Sequence, residues 1–133
     1  MNDIKAAVCR YERNAGTVQK AVALADAFAH LPRGAKVVIK PNIVAWINGP
    51  FPKWGVITTS AIMEETVVLL KEYGISDIAI VEGSLQMTPE DTHIGEKAFA
   101  GLGYLKLKQR YGVKLMDVWE RPFDTVDIGH GMT

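Results

Sequence analysis

The stretch Val37-Val38-Ile39 is apolar at every position instead of alternating with polar residues. A β-branched run of this kind predicts a strand buried on both faces, as in a parallel sheet. The strand is expected over residues 36–40. It ends abruptly at Lys40-Pro41-Asn42, where the apolar run meets a cation, a ring that cannot donate to a ladder, and an amide. Upstream, residues 4–9 read as a first strand. From Thr17 onward Val18, Ala21, Val22, Ala25, Phe28 and Ala29 fall at spacings of three and four, a helical pattern that Pro32 closes. Downstream, Thr58-Thr59-Ser60 offers cap hydroxyls for a second helix. Glu64 and Glu65 are expected where its dipole favours acids, and Val67, Leu70 and Tyr73 continue one face to Gly74. A third strand is expected over residues 77–82. Residues 83–94 are loop-like and Gly95 prolongs them, so the next short helix is expected from Glu96 through Phe99. A further helical turn or two over residues 104–111, a fourth strand over 114–118 and a short fifth over 124–128 complete the pattern.

Strands alternating with helices predict an α/β fold, a mostly parallel open sheet of about four or five strands with helices on both faces. The 133 residues suit a single domain with one core. In open sheets of this class ligands bind beyond the carboxyl ends of the strands. Those ends carry Arg10 and Tyr11, then Lys40-Pro41-Asn42, then Glu82-Gly83-Ser84, then Asp117, so four strands are expected to bring polar groups to one rim.

Pro41 biases Lys40 toward extended backbone, which projects the ammonium from the strand end at an angle suited to a carboxylate or phosphate. The competing reading is a solvated lysine, or one paired with Glu82. Glu82 in turn is a candidate general base or cation ligand, or simply the partner of Lys40. Asn42 can orient a ligand or cap the turn after proline. Thr58, Thr59 and Ser60 can bind an anion through helix-terminal N–H groups, or only cap the helix. Gly83, next to Ser84, allows a close approach to a bound molecule. Between Ile43 and Thr59 a connection bearing Trp46, Phe51 and Trp54 exceeds an ordinary strand-to-helix link, and it reads as a lid, a partner-docking flap or a subsidiary core. Asp91, His93 and Glu96 match no metal-ligand motif, and His130 lies in a glycine-rich tail. Neither a Gly-x-Gly-x-x-Gly run after the first strand nor a phosphate loop of the Gly-x-x-x-x-Gly-Lys type is present.

Lys and Arg number 15, as do Asp and Glu, so no net field favours nucleic acid or an anionic membrane. The single Cys9 excludes an internal disulfide and a cysteine-only metal or iron-sulfur cage within one chain, and its apolar neighbours predict a small buried hydrophobe. No segment reaches the ~20 apolar residues that span a bilayer, and residues 1–5 lack the order of a signal peptide, so a cytoplasmic location is expected.

The strand ending Ile39-Lys40-Pro41-Asn42, the threonine-rich helix start, Lys71-Glu72-Tyr73-Gly74, Val81-Glu82-Gly83-Ser84, and Gly103-Tyr104 leading to Tyr111-Gly112-Val113 together resemble the family named domain of unknown function three-six-two. The resemblance spans most of the chain. It implies an α/β domain often found beside ferredoxin-like modules that hold iron-sulfur clusters, with no settled activity. This chain lacks the cysteines of such a module, and the resemblance implies that it covers roughly the first half of the family's domain, the rest of the sheet coming from further sequence or a second copy. Lys40, Asn42 and Glu82 match the family's motif positions, and the resemblance carries no catalytic role to them. The expected function is binding of an anionic small molecule at the strand ends, with Lys40 and Glu82 as candidate catalytic groups. The alternative is a non-catalytic module that docks an iron-sulfur electron carrier or a second copy through the flap.

Overall fold

The computed structural model describes residues 5–13, 15–43, 56–85 and 93–120, together with Asp124, Val126, Asp127 and Gly129. In chain order the elements are helix α1 (Thr17–Ala25), strand β1 (Val37–Ile39), helix α2 (Ser60–Glu72), strand β2 (Ile78–Glu82), helices α3 (Ile94–Gly101) and α4 (Leu105–Tyr111), and strand β3 (Lys114–Asp117). One turn of 3-10 helix, Val118–Glu120, comes after β3. The strands form a parallel sheet in the order β1-β2-β3, with Ile39 opposite Ile80, Ile80 opposite Leu115, and Glu82 opposite Asp117. The fold is therefore α/β with an open parallel sheet, of three strands among the described residues rather than four or five.

The expected first strand over residues 4–9 does not form. Residues 5–9 pair with no strand, and Val8 is 99% exposed. Its small residues have little to bury, and contacts with the helical layer hold the segment instead. Lys5 pairs with Asp26 just past α1, Tyr11 OH donates to Glu65 Oε1 of α2, and Glu12 exchanges hydrogen bonds with Thr17 Oγ1. Cys9 is accordingly half-buried rather than a core residue. The expected fifth strand is also absent where it is described, since Asp124, Val126 and Asp127 are exposed and unpaired with any strand.

Two helix limits differ from the sequence pattern for local reasons. α1 stops at Ala25 because Asp26 takes a left-handed conformation (φ 53°), and the remaining apolar residues Phe28 and Leu31 reach the core from turns. There the hydroxyl of Tyr73 lies within hydrogen-bond distance of both their carbonyls. α3 begins at Ile94 and includes Gly95, because the helix passes directly against Asp117. Gly95 N donates to Asp117 Oδ2 at 3.0 Å, and a Cβ at this position would overlap the carboxylate.

Each crossover, β1 to β2 and β2 to β3, steps in the same direction along the sheet. Right-handed crossovers that never reverse put their helices on one face. The core lies there: Ile78, Ile80, Met63, Val67, Phe99, Tyr104 and Leu107 are buried together, with Val37, Ile39 and Leu115 packed against them. On the opposite face Val38 is 68% exposed and Val81 and Met116 are partly exposed. The expectation of helices on both faces is thus corrected among the described residues, as is burial of β1 on both sides. The same asymmetry sets the energetics. Ile80→Ala, at a site with no solvent exposure, is expected to cost about 2–5 kcal/mol in urea unfolding, whereas Val38→Ala is expected to stay within about 0.5 kcal/mol.

Candidate functional site

The carboxyl edge of the sheet brings Lys40, Glu82 and Asp117 together, but Glu82 is already engaged. Its Oε2 accepts from Lys40 Nζ and from the backbone N–H of Ile43, both at 2.9 Å, and its Oε1 accepts from Gly83 N at 2.9 Å. The residue is only 7% exposed, whereas the Lys40 side chain is 68% exposed and also donates to Pro41 O at 3.2 Å. Three N–H donors fix the carboxylate, and two of them are backbone groups that would otherwise lack partners where β1 and β2 end. This is the bracing role weighed against catalysis for Lys40 and Glu82, and it leaves the carboxylate little freedom to accept a proton from a substrate.

Asp117, opposite Glu82 in the ladder, is likewise buried. It accepts from Gly95 N in the first turn of α3 and from Trp119 N at 3.1 Å, so a helix terminus and a turn stabilise its charge. Tyr104 is fully buried, and its hydroxyl donates to Thr58 O at 2.8 Å. Burial, and then the negative charge of Glu82, push the phenol well above its ordinary pKa.

The Asn42 backbone N–H donates to Thr58 Oγ1, its amide Nδ2 donates to Val56 O, and Thr58 N returns a bond to Asn42 O. Asn42 therefore closes the base of the 44–55 connection, as the turn reading expected. Thr59 caps α2 by accepting from Ile62 N, and Ser60 opens the helix. Glu64 and Glu65 lie beyond the first turn, contrary to the dipole placement. They serve as cross-links instead, Glu64 to Arg110 and Tyr111, and Glu65 to Tyr11 and Val18 N. Ser84 is buried at 1% exposure, and its carbonyl accepts from Trp119 Nε1 at 2.9 Å. Gly83 passes so close to Val118 that a Cβ there would overlap it.

Thr59 and Ser60 line a cavity of about 400 Å³ together with Ile57, Leu102, Tyr11 and Arg13. This is the size range of small-molecule sites. Arg13, which the sequence reading did not single out, has no hydrogen-bond or ion-pair partner among the described residues. It faces the cavity beside the first-turn N–H groups of α2, which no carbonyl within the helix can reach. Trp119 was also missed: no periodicity marks a tryptophan in a 3-10 turn. Lys40 does not line this cavity, so the expected ligand-binding set divides into a braced edge (Lys40, Glu82, Gly83, Ser84) and a cavity wall (Thr59, Ser60), with Asn42 and Thr58 between them. Trp46, Phe51, Trp54, Asp91 and His130 lie outside the described residues. His93 pairs with Glu96, and among the described residues no three His, Cys, Asp or Glu side chains could hold a metal ion.

The family model described as a domain of unknown function (DUF362) matches residues 37–133, which include all three strands and both edge carboxylates. The chain belongs to this family. No curated protein and no solved structure matches it. The DUF362 match begins at the first residue of β1, so Tyr11 and Arg13 on the cavity wall stand outside the matched residues. None of the described helices is long and apolar enough to cross a membrane.

Two outcomes test this geometry. Glu82→Gln turns one of the two accepting oxygens into an amide NH2, which opposes the donor or donors that point there, and is expected to cost about 2–3 kcal/mol in urea unfolding. Lys40→Met removes only the exposed partner and is expected to cost no more than about 1 kcal/mol. Equal losses would mean that the ammonium, not the backbone, holds the carboxylate. At high pH the unfolded chain ionises its tyrosines near their ordinary value of 10.0, while Tyr104 in the fold remains protonated. Stability is therefore expected to fall as the pH rises above that value, and Tyr104→Phe is expected to flatten the alkaline decline.

Proposed function

We propose that this DUF362 chain binds an anionic small molecule at the carboxyl side of its sheet, with the anion seated against the first turn of α2 and Arg13. The observation that carries this reading is the cavity itself: Arg13, which has no ion-pair partner among the described residues, Ser60 and the positive end of a 13-residue helix line one space. Ile57 and Leu102 supply apolar wall for the uncharged part of the ligand. Lys40, paired with Glu82, is a secondary contributor, Asn42 and Thr58 hold the loop that leads to Thr59, and Glu82 acts as a brace. The site is one for binding, and the protein acts in the cytoplasm. The docking alternative through Trp46, Phe51 and Trp54 rests on residues outside those described, and no observation on the cavity favours it.

A thermal-shift and calorimetric screen against inorganic phosphate, sulfate and small di- and tricarboxylates tests the proposal. A hit is expected to lose at least about tenfold in affinity in Arg13→Gln, roughly 1.4 kcal/mol, and less in Lys40→Met, with the unliganded stability of both variants close to that of the parent. Binding that survives Arg13→Gln unchanged would remove the cavity from consideration.

A further inference from the structure

The cavity at the start of α2 offers a ligand few polar groups and much carbon. Thr59 Oγ1 is turned to Ile62 N as the cap of the helix, and the Tyr11 hydroxyl is directed to Glu65, which lines a neighbouring cavity and not this one. What remains is a short set of donors: the Arg13 guanidinium, the Ser60 hydroxyl and the backbone N–H groups of Ser60 and Ala61. None of these meets a hydrogen-bond partner among the described residues. The rest of the lining is the Ile57, Ala61 and Leu102 side chains, Gly101 and the body of Tyr11.

Charge limits how many anionic groups the ligand can carry. Arg13 is the single cation that lines the cavity among the described residues. Arg13 and Ala61 also line the adjoining cavity, whose wall carries Glu64 and Glu65. Glu64 is paired with Arg110, whereas Glu65 meets only neutral donors, Tyr11 OH and Val18 N. A second negative charge on the ligand would find no cation of its own and would stand near an acid that has none either. A phosphate monoester carries about 1.5 to 2 charges at neutral pH, while a carboxylate carries one and matches the fork of a guanidinium.

Size fixes the remainder of the molecule. At the ~30 Å³ that a water molecule takes up in the liquid, the cavity of about 400 Å³ holds roughly a dozen non-hydrogen atoms. A carboxylate takes up the smaller part of that space, and the larger part lies against carbon.

We propose that the ligand of this cavity is a monocarboxylic acid with a compact apolar body, its carboxylate against Arg13 and Ser60 and its body against Ile57, Ala61 and Leu102. The proposal rests on the anion-binding reading and narrows it, because polar di- and tricarboxylates and phosphate esters become the poorer ligands.

The test titrates matched probes calorimetrically into the full chain: hydrocinnamate, adipate, in which a second carboxylate replaces the ring, phenyl phosphate, which keeps the ring and raises the charge, and hydrocinnamamide, which removes the charge. Hydrocinnamate is expected to bind at least about tenfold more tightly than each of the others. Arg13→Gln is expected to weaken it at least tenfold. Ala61→Leu, which fills the space beside α2 with a good helix former, is expected to weaken it at least fivefold. Should that variant fail to fold, Ile57→Thr, which keeps a β-branched residue, is expected to show the same loss, and unchanged affinity in the variant that folds would overturn the proposal. Adipate or phenyl phosphate binding as tightly as hydrocinnamate, and lost in Arg13→Gln, would overturn the monocarboxylate and leave the anion site standing. Hydrocinnamate binding that the amide matches, or that Arg13→Gln leaves intact, would overturn both. No binding of hydrocinnamate would also overturn the proposal, and the screen with phosphate, sulfate and polycarboxylates then decides the anion reading by itself.

Discussion

A parallel sheet whose strands succeed one another in chain order, joined only by right-handed crossovers, cannot place helices on both of its faces, and most features of this molecule stem from that constraint. α2, α3 and α4 all return over the same side and create a single core around Ile80, Val67 and Tyr104. The strand order also has no reversal among the described strands, so there is no crevice of the kind that a change of direction opens in doubly wound sheets. The cavity bearing Arg13 and Ser60 lies to the side, between the start of α2, the link from α3 to α4, and the segment carrying Tyr11 and Arg13.

Strands that end inside a small core leave backbone groups to satisfy at the carboxyl edge. The N–H groups at the ends of β1 and β2 need acceptors, and Glu82 supplies them from within the sheet. Asp117 does the same for α3 and for the turn carrying Trp119. Two buried carboxylates on adjacent strands would repel one another strongly if unpaired. Each is instead surrounded by donors, one set completed by an exposed lysine and the other by a helix terminus. Buried acids at a sheet edge invite a catalytic reading, yet here the donors already occupying them assign them to structure.

Much of this was legible in the residues. β-branched runs located β1 and β2 to within one residue, and the threonines before Ser60 placed the start of α2. The pairing of Lys40 with Glu82 was implied by parallel neighbours ending at one edge. The features that could not be read depended on contacts between distant segments. Residues 5–9 have strand-like composition, but Glu65 and Asp26 draw their neighbourhood to the helices. Gly95 looks like a helix breaker until Asp117 is known to press against it. Val38 looks buried because composition reports what a strand tolerates, not which side its crossovers take. Arg13 carried no signal at all, since its importance lies in having no partner, a property that only the surrounding structure defines.

That last property also decides which cation suits an anionic ligand. An anion reaching the far side of the Lys40 ammonium would stand about 5 Å from the Glu82 carboxylate. At an effective dielectric of about 20, two like charges at that separation repel by about 3 kcal/mol, enough to offset much of the attraction to the lysine. Arg13 has acids nearby too, Glu64 and Glu65, which line a second cavity with it, but neither forms an ion pair with its guanidinium, whereas Glu82 is bound directly to the Lys40 ammonium. Its planar guanidinium presents a fork of donors to carboxylate or phosphate alike, and it does so beside helix-terminal amides that attract the same ligand. Lys40 is the more conspicuous cation in the sequence, at the end of its most apolar run. It is the less available one in the fold, for the same reason that it is well placed: the strand that projects it also delivers it to Glu82.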